Sequence, residues 1–156
     1  MKSIELLGKG EEMHGRAYIK LSADEIEESI KKLKENGFNH FVMLSCVDWL
    51  DKGKFELVYH MWNYEEKEHA MLSVDIDRNN AVMKSMSHLF PQIETYEREI
   101  HEMYGIKFEG NHRLTPFLLE NWPHDPPMRK DFDSKKFVKQ MYESIPFIEG
   151  DENEGI

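Results

Sequence analysis

Cysteine is nearly absent: one residue, Cys46, in a chain of 156. A disulfide within the chain is excluded, and an iron–sulfur cluster held by this chain alone would lack the several thiolates such clusters take. Long hydrophobic runs are also missing. The longest, Phe41 to Val47, falls far short of the roughly 20 residues that a membrane span requires. Positive charge is in deficit, with 30 acidic against 20 basic residues and a net charge of −10. That balance opposes nucleic-acid binding, which needs a basic footprint, and direct adhesion to anionic lipid heads. No phosphate loop is found, because Gly8-Lys9-Gly10 has no strand before it and no Ser or Thr after it. No basic-then-apolar leader opens the chain. The expectation is a soluble domain in a reducing, cytoplasmic setting, with any membrane link made through other subunits.

Apolar residues make up 40% of the chain and aromatic residues 12%, enough for a real core in one domain. Met1 to Glu12 is weakly patterned and reads as a loose start. Met13 to Leu21 alternates, with Ala17, Ile19 and Leu21 on one face of a strand. Ser22-Ala23-Asp24-Glu25 reads as a capping box before a helix carrying Ile26, Ile30 and Leu33, closed by Gly37. Phe41 to Val47 reads as a buried central strand. Phe55 to Trp62 and His69 to Ile76 alternate about a polar loop, Tyr64 to Glu68, of hairpin length. A short helix capped by Asn80 is expected to carry Val82, Met83, Met86, Leu89 and Phe90 up to Pro91, and a last helix from Ser134 to carry Phe137, Val138, Met141, Tyr142 and Ile145. The fold class is α+β: a small antiparallel or mixed sheet of about four strands with helices packed on it. The expected division is an α+β domain over 1–110, an extended docking segment with a short helix over 111–148, and a disordered acidic tail over 149–156.

The unusual stretch runs from Glu94 to Phe132. It opens as a short helix with Tyr96, Ile100, Met103 and Tyr104 on one side, and Glu97, Arg98, Glu99, His101 and Glu102 on a charged one. Gly105 stands where helices commonly end in a left-handed residue. Beyond it lies an aperiodic segment with Leu114, Phe117, Leu118, Leu119, Trp122 and the prolines Pro116, Pro123, Pro126 and Pro127. Long irregular loops in compact domains usually do something, and these apolar side chains must be covered by the core or by another protein. Proline lowers the entropy lost when such a segment is fixed, and Arg129 offers a bidentate bond to a carboxylate. An apolar anchor with a charged rim has the composition of an interface.

Other chemistry is weaker. His101-Glu102 begins like a zinc-protease helix, but Gly105 stands where the second His is needed. Glu97 and His101, one helical turn apart, could share a metal with His112 or His124, which would make a free-standing metal-dependent enzyme using Glu97, His101 and His112. Cys46 lies in an apolar strand, where a free thiol is usually a small hydrophobe. A plain soluble adaptor is a further reading.

Glu97-Arg98-Glu99, then His101-Glu102-Met103-Tyr104-Gly105-Ile106, then Leu118-Leu119, Trp122, Pro127 and Arg129-Lys130-Asp131-Phe132 form one ordered series. The series resembles the signature of the C subunit of respiratory complex I (NADH-quinone oxidoreductase), which also occurs in the related energy-converting membrane-bound nickel–iron hydrogenases. Two positions depart: Glu102 stands where that family usually has Asp, and Gly110-Asn111-His112 where it has Gly-His-Pro. The resemblance implies a cofactor-free peripheral subunit of an oxidoreductase, non-catalytic by itself. It would dock on the large hydrogenase-like, quinone-site subunit beside an iron–sulfur subunit, on the cytoplasmic side of a membrane. Iron–sulfur clusters, and in the hydrogenases a nickel–iron site, would belong to those partners. Glu97, Arg98, Glu99, Arg129, Lys130 and Asp131 are the expected contact or register residues, and Phe117, Leu118 and Trp122 the expected anchors.

Overall fold

Three ten-residue strands, β3 (His40–Trp49), β4 (Lys54–Asn63) and β5 (Glu68–Asp77), form the frame of the protein. They were obtained as part of a computed structural model, which describes residues 1–122 and 124–142. β4 and β5 are strictly two-periodic. Phe55, Leu57, Tyr59 and Met61 from β4 and Ala70, Leu72, Val74 and Ile76 from β5 all face one way and are buried. Two shorter strands, β1 (Glu11–Met13) and β2 (Arg16–Leu21), complete a five-stranded sheet of order β1-β2-β5-β4-β3. β2 runs parallel to β5 and every other pairing is antiparallel. The helices α2 (Ile26–Glu35) and α3 (Ile93–Tyr104) cover the apolar face. Ile26, Ile30 and Leu33 of α2 and Ile93 and Ile100 of α3 join the strand residues in one cluster. Each such side chain, fully buried, stabilises the fold by roughly 1.5–3 kcal/mol.

The α+β class expected from the sequence is the class observed, and four of its expectations need correction. Residues 2–7 are not a loose start but a helix, α1 (Lys2–Leu7), whose first N–H groups meet a carboxylate from β5: Lys2 N and Ser3 N donate to Glu68 at 2.8 and 3.0 Å. The partner is 65 positions away in sequence, so no local pattern announces it. β3 is an edge strand rather than a central one. Phe41 and Leu44 are buried while Met43 and Val47 are exposed, and a bulge between Phe41 and Met43 interrupts the register. Its outer edge is closed by α3, where the Tyr96 hydroxyl donates to Val42 O at 3.1 Å. The helix expected from Asn80 is instead a short strand, β6 (Val82–Lys84), paired in parallel with β7 (Lys107–Glu109). Met83, Met86 and Phe90 still enter the core, but tertiary pairing overrides their helical spacing. The expected capping box is half made: Glu25 accepts from Ser22 N at 2.9 Å, while the Ser22 hydroxyl donates to the same carboxylate instead of serving the helix.

α3 ends as expected. Gly105 adopts φ 76° and donates to His101 O at 2.8 Å, a conformation that any side chain would disfavour. The last described element is α4 (Ser134–Tyr142). Asp133 rather than Ser134 caps it, accepting from Lys136 N at 2.9 Å. Ile145 and the acidic stretch 149–156 lie outside the described residues, as does Pro123.

Among the described residues, those on the opposite face of the sheet are largely polar or aromatic. At one end Lys20, Glu56, Lys54 and Asp75 form an ion-pair network. At the other, His60 and His69 stand side by side, with Trp62 packed on His69 at 4.1 Å between ring centroids. Burial, then the positive neighbours around it, holds His60 down at about 4.

Candidate functional site

Among the described residues, the segment from 110 to 133 contains no helix or strand, and three groups of side chains fasten it to the domain. Glu97 fixes its root. This residue occupies the inward stripe of α3 with Ile93 and Ile100 and is fully buried. Its carboxylate accepts from the Ser85 hydroxyl at 2.7 Å, Met86 N at 2.9 Å and Asn111 Nδ2 at 2.9 Å. Asn111 in turn donates to Glu94 O and accepts from Arg113 N. Burial pushes the Glu97 carboxyl above its ordinary value, and the three donors work against that rise. The placement of Glu97 on a charged outer face is therefore corrected. Its spacing, four after Ile93 and three before Ile100, was the signal for burial.

Arg98 and Glu102, one turn apart on α3, hold the tip of the segment. Arg98 Nε donates to Thr115 O at 2.8 Å and Nη2 to Pro116 O, with the guanidinium 4.9 Å above the Phe117 ring. Glu102 accepts three successive backbone N–H bonds, from Phe117 at 2.9 Å, Leu118 at 2.7 Å and Leu119 at 3.2 Å. Desolvation raises its pKa, but the three N–H groups outweigh it and keep the carboxyl below the usual range. The tip so held turns Phe117 (39% exposed) and Leu118 (58% exposed) outward. Glu102, absent from the contact set expected from the sequence, is thus the residue that shapes the loop.

The far end returns to the sheet. Met128 N donates to Met103 O at 3.0 Å. Arg129 Nε donates to Tyr104 O at 2.7 Å, its guanidinium 5.3 Å from the Phe55 ring. Asp48, buried on β3, receives Arg78 in a bidentate pair at 2.8 and 3.2 Å and also Lys130 N at 2.9 Å. The same guanidinium bonds Asp131 at 2.5 Å. Desolvation raises the Asp48 carboxyl, but Arg78 and the Lys130 N–H prevail and leave it below the usual range. Arg129, Lys130 and Asp131, expected to set register against a partner, each make a bond inside this chain. Trp122 is likewise turned inward. Its Nε1 donates to Asp125 O at 3.0 Å, and its ring lies 4.8 Å from Phe137 and 5.9 Å from Phe132. Glu99 is exposed.

A groove of about 690 Å³ separates α3 from the segment, lined by His101, Leu114, Leu119, Trp122 and His124 among others. The three residues weighed as metal ligands are not brought together there. Glu97 is buried among its own donors, His101 Nδ1 lies 2.8 Å from Ile106 O, and His112 is exposed. Among the described residues no three His, Cys, Asp or Glu side chains converge. Burial pushes the Cys46 thiol up to about 12, so it is protonated at neutral pH.

The model of the family described as respiratory-chain NADH dehydrogenase, 30 kDa subunit, matches residues 19–138. The C subunit of NADH-quinone oxidoreductase from Phenylobacterium zucineum is 31% identical over 123 residues, 78% of this chain. The chain spans only 58% of that relative's length. The C subunit of the F(420)H(2) dehydrogenase of Methanosarcina mazei is 32% identical, covering 76% of this chain and 75% of that one. Among solved structures, a chain of the membrane-bound sulfane sulfur reductase, an archaeal respiratory membrane complex, superposes with a TM-score of 0.86 at 32% identity, covering 99% of this chain and 95% of that one. The trypsin-resistant fragment of Nqo5 shares the fold, with a TM-score of 0.61 at 20% identity over 75% of this chain and 95% of the fragment. On the family match and these identities, the chain belongs to the family of the 30 kDa subunit of respiratory-chain NADH dehydrogenase, which is the C subunit of the complex-I-related oxidoreductases.

Proposed function

We propose that this chain is a peripheral, non-catalytic subunit that docks on the large hydrogenase-like subunit of a complex-I-related membrane oxidoreductase. The observation that carries this reading is the Phe117-Leu118 tip, turned to solvent by Arg98 and Glu102. A loop with two exposed apolar side chains and a backbone already fixed by its own domain loses little entropy on binding, which is the condition for an anchor. Glu99 and Lys130, both exposed, form the charged rim. Glu97, Arg129 and Asp131 act indirectly, by holding the segment in place.

Electrons would pass through iron–sulfur clusters of partner subunits, with a nickel–iron site if the parent complex is of the hydrogenase type. This chain would hold no cofactor and lie on the cytoplasmic side of the membrane. No helix among the described residues is long and apolar enough to cross a membrane; in this reading attachment goes through the partners. The near end-to-end match to the archaeal respiratory complex chain favours a compact complex of that kind as the parent.

The test is affinity purification of the tagged full chain from native membranes, comparing wild type with Leu118→Asp. The wild-type chain is expected to bring down hydrogenase-like and iron–sulfur subunits. Leu118→Asp, folded by circular dichroism, is expected to lose them. Recovery of the same subunits with Leu118→Asp and with Phe117→Asp would overturn the assignment of the tip.

A further inference from the structure

The sheet face opposite α2 and α3 holds a cluster that docking through the Phe117-Leu118 tip leaves unused. His60 Nε2 on β4 lies 2.8 Å from His69 Nδ1 on β5. Strand register sets Met71 directly across from His60, two residues along β5 from His69 and therefore on the same face. We propose that His60, His69 and Met71 form a copper(I) site of two imidazole nitrogens and one thioether sulfur.

The two imidazoles already aim ring nitrogens at one another across a gap that suits a shared proton or a shared metal. Each neutral ring needs only one N–H. If that proton sits on the outer nitrogen of each ring, both inner lone pairs face the same point. In the hydrogen-bonded pair one inner nitrogen carries that proton, so metal entry shifts it to the outer nitrogen of the same ring, breaks the hydrogen bond and releases no proton. With metal–nitrogen bonds of about 2.0 Å, a 2.8 Å separation subtends roughly a right angle. Opening the pair to about 3.3 Å, within side-chain adjustment, gives a tetrahedral angle at the same bond length.

The remaining donors select the ion. Since no three His, Cys, Asp or Glu side chains converge among the described residues, a third ligand must be of another kind, and Met71 supplies a soft thioether, which favours copper(I) over hard cations. Of the carboxylates on this face, Glu56 and Asp75 are engaged by Lys20 and Lys54, Asp77 lies at the far end across from Lys54, and Glu11 stands on β1 opposite Tyr18. Arg16 on β2 stands directly opposite His69. Its fixed charge opposes a divalent ion about twice as strongly as a monovalent one at the same distance. Tyr18, opposite Met71 on β2, and His40, across Trp62 on β3, are further titratable groups at this end of the face.

The experiment titrates copper(I) against the full-length chain in competition with bicinchoninate, anaerobically and under reducing conditions, in a Cys46→Ser background. One equivalent is expected to transfer to the protein. Met71→Leu is expected to weaken binding at least tenfold, and His69→Gln to abolish it. Copper K-edge absorption is expected to show nitrogen and sulfur neighbours, with the sulfur lost in Met71→Leu. Failure to draw copper from bicinchoninate would overturn the site. So would unchanged affinity in His69→Gln, or a sulfur neighbour that persists in Met71→Leu. Zinc(II) binding with equal affinity at the same residues would overturn the choice of ion. Met71→Leu preserves volume on a half-buried face, so its outcome stands even if a histidine variant fails to fold.

Discussion

Replacing Arg78 with Met should cost more stability than any other single change to a polar residue in this protein. Arg78 follows β5 and has a side chain only 8% exposed, against 2% for its partner Asp48. It bonds both carboxylate oxygens of Asp48 and one of Asp131. Met keeps much of the packing against Phe55, over which the guanidinium lies at 5.5 Å, so the loss is mainly electrostatic. It strands Asp48 with a single remaining donor, Lys130 N. Removing one partner of a buried pair typically costs about 3–5 kcal/mol, because the survivor is left charged and desolvated. At roughly 2–4 °C per kcal/mol for a domain of this size, the midpoint should fall by about 6–20 °C in scanning calorimetry.

The pH dependence gives a second handle on the same pair. The Asp48 carboxyl lies below its ordinary value of 3.8 when folded. Its contribution is therefore present above that value and disappears as pH falls through the lowered folded value. The penalty of Arg78→Met should shrink as acid protonates the stranded carboxylate. In the double variant Asp48→Asn, Arg78→Met the loss should be smaller than the sum of the single losses. A midpoint within 1–2 °C of wild type for Arg78→Met (well under the shift that a broken buried pair implies), or simple additivity in the double variant, would refute the reasoning.

Glu97→Gln should respond to pH in the opposite sense. Because burial raises the Glu97 carboxyl, its contribution is greatest below the ordinary value of 4.5 and is lost as pH rises through the folded value. Urea unfolding at several pH values should find the variant gaining on wild type as pH increases. Glu102→Ala should release the N–H groups of Phe117, Leu118 and Leu119, seen as faster hydrogen exchange at those amides, with a modest loss of about 1–2 kcal/mol in global stability. Gly105→Ala should destabilise by roughly 1–3 kcal/mol in thermal melting: φ is 76° there, and an added Cβ would lie 3.0 Å from Pro126 Cγ and 3.3 Å from Arg129 Nη2.

What could be read from the sequence follows from how far each residue's partner lies along the chain. β4, β5, α2 and α3 are periodic because each buries one face of itself, and that face is visible in spacing alone. The edge position of β3 depends on what lies beside it, so its apolar run was indistinguishable from that of a central strand. β6 owes its existence to β7, more than twenty residues later in the chain, and helical spacing of Val82, Met83 and Met86 concealed it. The site shows the same division. The exposed pair Phe117 and Leu118 could be picked out as apolar residues in an aperiodic, proline-rich stretch. The bonds that Glu97, Arg129 and Asp131 make within the chain could not, because Ser85, Tyr104, Arg78 and Asp48 enter only through the fold. Density of charge along a segment therefore marks where a chain is held in place, but not which side does the holding. Here most of the charges in the ordered series hold the segment onto its own domain, and in the docking reading proposed above the surface for a neighbouring subunit narrows to the apolar tip with Glu99 and Lys130 at its rim.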